Sequence, residues 1–255
     1  MKIGLTNLFS FRPHVEHLEF LARLLEQDGH EVVFFTCDSA VETCYIRELR
    51  GRSRIRECSQ CIIGGVRSYR SQGVTPVAKA YSDLSDAELE DLALSSSATL
   101  TRTESEREWD EPEVRQYRSR LAGPISQVFQ SAKNWIVDEG LEGVICFNGR
   151  MDLPRAVTYA CEQLNVPYIT HERTWFGDGI QLIPNGNCRS DSDMFTFGYN
   201  FRPWTGGKVL ADGASIKNYV AETAREHDVE RHIRFGLAVK TADWSGVDKC
   251  WKLTA

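Results

Sequence analysis

Twice along this chain an apolar stretch, a helical pattern and a second apolar stretch follow one another at short range, and few folds accommodate that order. Lys2 to Thr6 reads as a buried strand, with Asn7, Ser10 and Pro13 in a loop behind it. A helix then carries Val15, Leu18, Ala22 and Leu25 on one face, Gly29 stops it, and Glu31 to Thr36 returns as a β-branched and aromatic strand. The pattern recurs at Gly143 to Phe147, at Leu153 to Leu164 with Val157, Ala160, Cys161 and Leu164 on one face, and at Val166 to Thr170. Strands joined by a crossover helix lie parallel, and a parallel sheet is covered on both faces. The expected class is α/β, a parallel sheet with flanking helices, followed by a small α+β C-terminal segment.

Between the two units, Asp83 to Glu113 holds eleven Asp or Glu and two Arg, which reads as a mobile, solvated helix and loop. From Glu113 to Val137 apolar residues recur at helical spacing through Val114, Tyr117, Leu121, Ile125, Val128 and Ile136, and Pro124 is expected to kink or split that helix. The style changes near Cys188. Lys plus Arg number 20 against 27 Asp plus Glu in residues 1 to 188, and 10 against 9 in residues 189 to 255. Downstream the pattern gives a helix with Ile216, Tyr219, Val220, Thr223 and Ala224 on one face, then strands at His232 to Val239 and Cys250 to Thr254, the last pairing with Lys240 to Trp244 if it forms a hairpin.

Composition narrows the function classes. The net charge of -6 disfavours a general attraction to nucleic acid. No apolar run approaches the roughly 20 residues of a membrane span, and the opening Met-Lys-Ile-Gly-Leu-Thr-Asn lacks the apolar core of a secretory signal. The expected location is the cytoplasm, where cysteines stay reduced.

Cys37, Cys44, Cys58 and Cys61 are spaced C-x6-C-x13-C-x2-C, and the final two-residue knuckle lets two sulfurs reach one tetrahedral ion. Structural zinc is the first reading, with an iron-sulfur cluster or reduced thiols as alternatives. Arg47, Arg50, Arg52, Arg54 and Arg56 lie between the two pairs, and Arg67 and Arg70 follow. They are either an oxyanion-binding patch or a solvated collar.

Arg12-Pro13-His14 ahead of the first helix, Asp28-Gly29-His30-Glu31-Val32 behind it, the four cysteines, Phe147-Asn148-Gly149-Arg150 and Thr170-His171-Glu172-Arg173 together resemble the N-terminal domain of bacterial capsular-polysaccharide glycosyltransferases of the GT-B type. The resemblance covers residues 1 to 188. It implies a Rossmann-like half of a GT-B fold with a four-cysteine insertion at 37 to 61, binding a sugar acceptor or nucleotide sugar. His171, Glu172 and His14 are then candidate bases, and Asn148, Arg150 and Arg173 candidate substrate ligands, all placed at carboxyl ends of parallel strands where α/β sheets bind ligands. Each also has a plain reading as a strand cap or surface pair. The donor-binding half of such an enzyme is not in the sequence, so a second chain would have to supply it.

Arg189-Ser190-Asp191-Ser192-Asp193-Met194, the run Phe195 to Trp204, Asp212-Gly213, Ile233-Arg234-Phe235, Trp244 and Trp251 resemble an internal stretch of flavin-containing monooxygenases of the Baeyer-Villiger type. This resemblance covers residues 189 to 255 and implies that Asp191 lies beside the flavin. The FAD fingerprint G-x-G-x-x-G occurs nowhere in the sequence, so stable FAD binding is not expected. Tyr199, Phe201 and Trp204 read as packing or exposed apolar residues. The expectation drawn from both halves is a glycosyltransferase-like acceptor-binding domain, incomplete for catalysis. The alternatives are a flavin monooxygenase fragment or a zinc-stapled binding module.

Overall fold

The computed structural model describes residues 1–103, 108–174, 179–186, 199, 201, 202, 204 and 213–254. The chain divides into two compact units, Met1–Ser190 and Asp191–Ala255. The first is α/β with a mostly parallel sheet flanked by helices, and the second carries a small antiparallel sheet.

In the first unit β1 (Lys2–Asn7), α1 (His14–Gln27) and β2 (Glu31–Thr36) form the opening βαβ, and β1 and β2 pair in parallel from Lys2 with Glu31 to Asn7 with Thr36. Two helices follow, α2 (Tyr45–Arg50) and α3 (Arg54–Gly64), then the short strand β3 (Val74–Pro76) beside β2. Next come α4 (Asp86–Thr101) and α5 (Pro112–Asp138). The second βαβ is β4 (Gly143–Phe147), α6 (Asp152–Leu164) and β5 (Tyr168–Arg173), and β6 (Ile180–Pro184) returns antiparallel to β5. The sheet order is β3-β2-β1-β4-β5-β6.

Alternation along the strands sorts side chains to two faces. Phe34 and Ile145 pack with Leu5, Leu18 and Ala22 under α1, whereas Phe35, Val144 and Cys146 join the larger core under α4, α5 and α6. Trp135 of α5 stacks on Phe35 at 5.0 Å, and the room for its ring comes from Gly4 of β1, where an added Cβ would meet the indole at 2.3 Å.

The helix ends follow local chemistry. Ser85 and Glu88 close a capping box at the start of α4. Pro112 opens α5, where its missing N–H costs nothing. The helix runs unbroken through the buried Pro124, so the expected split does not occur. Residues 104–107 of the acidic stretch lie outside the described residues, and the stretch before them is α4.

Strand β5 departs from expectation. Pro167 delays its start to Tyr168, and pairing with β6, Thr170 with Ile183 through Arg173 with Ile180, prolongs it. His171, Glu172 and Arg173 therefore lie within the strand rather than beyond it.

In the second unit α7 (Gly213–Glu226) buries Tyr219 and Thr223, as its apolar face requires. The Tyr219 ring lies 5.8 Å from Tyr199 and 5.0 Å from Trp204, and Arg202 is clamped by Glu226 at 2.7 and 2.9 Å. Tyr199 and Phe201 stack at 5.1 Å, with Phe201 exposed. β7 (Thr241–Ser245) and β8 (Cys250–Thr254) make an antiparallel hairpin. The strand expected at His232 to Val239 does not form. A 3-10 turn spans Glu230–His232, and Gly236, with φ +76°, turns the chain out of extended geometry.

Candidate functional site at the carboxyl edge of the sheet

Strand order reverses between β1 and β4, and the crevice outside the carboxyl ends at such a switch point is where α/β sheets bind ligands. The turn after β1, Leu8 to Pro13, leads into α1, whose first residue is His14. After β4 the chain bends through Asn148 and Gly149, with φ +58° and +76°. Asparagine tolerates that left-handed region because its side chain bonds locally, and here Asn148 Oδ1 accepts the Arg150 N–H at 3.1 Å.

Glu172 ties the crevice together. Its Oε2 accepts from Asn148 Nδ2 at 3.0 Å, and its Oε1 lies 3.2 Å from His14 Nε2. The Arg173 N–H also donates to Oε1, at 3.1 Å. His171, opposite Phe147 on β4, is fully buried, and neither ring nitrogen has a hydrogen-bond partner. Such buried groups are rare, because an unmade hydrogen bond costs about 1–3 kcal/mol. His17 follows His14 by one helical turn, so α1 presents both rings to the same place.

Burial lowers the pKa of His171 to about 3, and the charges of His14 and His17 would add to that effect. His14 falls to about 4, through burial first and then His17 and Arg173. Both rings are neutral at physiological pH.

The structure thus brings His14, Asn148, His171 and Glu172 to one place. Arg150 joins through its backbone, and Arg173 is exposed at the end of β5. Asp191 lies outside the described residues. Sequence reading missed His17, whose signal was the H-x-x-H pattern of His14 and His17. It also missed Asp152, wholly buried at the start of α6 with its pKa pushed up by desolvation to about 7.

Cys37, Cys44, Cys58 and Cys61 line one small cavity of about 30 Å³ and are free thiols. Burial raises Cys37, Cys44 and Cys61. Among the described residues, however, the groups of three or more potential ligands with atoms within 4.8 Å of one another come down to His14, His17 and His171. The sulfurs surround a cavity without closing on a point, so the arrangement lends no support to the expected zinc. Cys146 and Cys161 are core residues.

Most arginines between and after the cysteines face acceptors of their own. Arg50 and Arg52 hold the buried Glu57, Arg54 bonds the Ser39 carbonyl, Arg67 holds Asp38 at 2.6 Å, and Arg70 binds Glu19 at 2.7 Å and Glu26.

The crevice does not fit the pyrophosphate of FAD. Its β1–α1 turn contains no glycine, Phe9 is buried there, and Phe11 packs between Phe9 and Phe147 at 6.0 and 5.8 Å. The backbone after α3 also covers the turn: Ser10 bonds the Cys61 carbonyl, and Asn7 Oδ1 accepts the Val66 N–H at 2.8 Å.

No family model matches the chain. A stretch of 83 residues is 62% identical to MymA of Mycobacterium tuberculosis, named as an FAD-containing monooxygenase, covering 32% of this chain and 17% of the relative. The FAD-containing monooxygenase EthA of Mycolicibacterium smegmatis is 44% identical over 86 residues, 34% of this chain and 18% of the relative. EthA of Mycobacterium tuberculosis is 39% identical over 116 residues, 46% of this chain and 22% of the relative. The chain spans less than a quarter of the length of these relatives. These names overturn the glycosyltransferase reading and its capsular-polysaccharide setting, since the relatives are monooxygenases and none bears a glycosyltransferase name. Their FAD names also run against the expectation that stable FAD binding is absent. The chain carries a stretch similar to FAD-containing monooxygenases.

Proposed function

We propose that the segment from Arg189 onward works as part of a flavin-dependent monooxygenase. The observation that carries this reading is the 62% identity over 83 residues to an FAD-containing monooxygenase, a stretch longer than the 67 residues from Arg189 to Ala255, so the likeness takes in residues ahead of Arg189 as well. Contact with the flavin is assigned to this segment and not to the α/β crevice, whose turn leaves no room for a pyrophosphate. Asp191 is the position beside the flavin. The glycine-rich turn that would hold the nucleotide half is not among these 255 residues.

Titration of FAD into the full chain, followed by flavin fluorescence, tests the reading. A weak but saturable change is expected, reduced at least severalfold in Asp191→Ala. A flavin signal that never saturates, or one indifferent to Asp191, would remove it.

A further inference from the structure

We propose that His14, His17 and His171 form a three-histidine site for a divalent transition-metal ion of the zinc class. The site lies in the α/β unit and stands independently of the flavin reading. Each histidine offers one ring nitrogen, and the three atoms lie within 4.8 Å of one another. Three nitrogens on a tetrahedral zinc ion sit about 3.4 Å apart, as bonds of about 2.0–2.1 Å require. Binding would draw the three atoms together by at most about 1.4 Å, the difference between those spacings, and α1 already holds two of the rings one turn apart.

The chemistry of the donors fits a cation. A neutral imidazole has one N–H and one lone pair, and His171 buries both without a hydrogen bond. A metal ion would take up its lone pair. His14 Nδ1 is likewise buried without a hydrogen-bond partner, while Nε2 faces Glu172 at 3.2 Å. A carboxylate on the far nitrogen of a ligating histidine fixes the ring and raises its basicity, the usual outer-shell arrangement of a metal site. Glu172 is oriented for that task by Asn148. Imidazole donors select zinc, copper, iron or nickel over magnesium or calcium. Three protein ligands leave a further coordination position for water or a substrate, the pattern of catalytic rather than structural zinc.

The test uses the full chain, stripped with chelator and dialysed against Co²⁺ or Zn²⁺. One equivalent of Co²⁺ should bind and give visible ligand-field bands without thiolate charge-transfer bands. That signature separates the histidines from the four-cysteine cavity. His14→Ala and His17→Gln should each weaken Zn²⁺ binding at least tenfold, and Glu172→Gln should weaken it about tenfold, with far-ultraviolet circular dichroism unchanged. His14 is partly exposed, so its variant keeps the test open if a substitution at buried His171 prevents folding. The proposal fails if Co²⁺ does not bind, if its bands are thiolate bands abolished by Cys58→Ser, or if folded His14→Ala and His17→Gln bind Zn²⁺ as the parent does.

Discussion

Asp152 is the residue whose burial has the clearest consequence. Its Oδ2 accepts the Tyr45 N–H at 2.7 Å, and its own N–H donates to Ser96 Oγ at 2.8 Å. Desolvation outweighs the hydrogen bonds its carboxylate accepts from the Leu153 and Tyr45 backbones and raises its pKa from 3.8 to about 7. The folded chain therefore keeps a proton that the unfolded chain loses, and stability falls as pH rises from about 4 to about 7. The full difference is on the order of 4 kcal/mol, at about 1.4 kcal/mol per pKa unit. Asp152→Asn removes that slope: urea midpoints of parent and variant should diverge as pH rises through this window, and parallel curves would contradict the assignment. Nothing in local pattern marks Asp152, because an acidic residue at a helix start is ordinarily solvated. His14 and His171 were legible as candidates because each follows or ends an apolar strand pattern. His17 carried only the H-x-x-H spacing as a signal, and its relevance depends on which face of α1 meets His171.

At the scale of elements, the apolar periods predict α1, α5, α6 and α7, and the observed helices bury Leu18, Leu121, Val157 and Tyr219 accordingly. The capping box of α4 is equally local. Ser85→Ala should cost about 1 kcal/mol, read as a shift in the urea midpoint at constant slope, and an unchanged midpoint would mean that Glu88 or water replaces the cap. Strand β5 shows where local reading stops. Its length depends on β6 lying alongside, a pairing that its own residues do not announce. The strand expected at His232 to Val239 fails for the converse reason: its residues have the composition of a strand, but among the described residues no strand pairs with them, and a lone strand leaves its N–H and C=O groups to water.

Taken as a whole, the molecule joins two units of unequal internal support. The first surrounds β1 and β4 with buried side chains on both faces. Among the described residues the second buries little beyond Tyr219 and Thr223, and its β7–β8 hairpin is exposed along nearly its whole length. Hydrogen exchange should accordingly be slowest at amides of β1 and β4 and fast at β7 and β8, since an isolated hairpin is marginal in water. Slow exchange across β7 and β8 in the isolated chain would show that something covers them. No helix among the described residues is long and apolar enough to cross a membrane.

The amino-acid sequence alone determined the succession of strands and helices, the change of character near Cys188 and the likeness of the later part to flavin monooxygenases, because periodicity, composition and residue identity are properties of neighbouring positions. Only the tertiary structure decided that β5 extends through Arg173, that Phe9, Phe11 and the chain after α3 fill the crevice a dinucleotide would need, and that α1 carries His14 and His17 to His171. Those outcomes depend on contacts between segments far apart in the chain, and pairing across a sheet is set by the partner strand rather than by the residues of the strand itself.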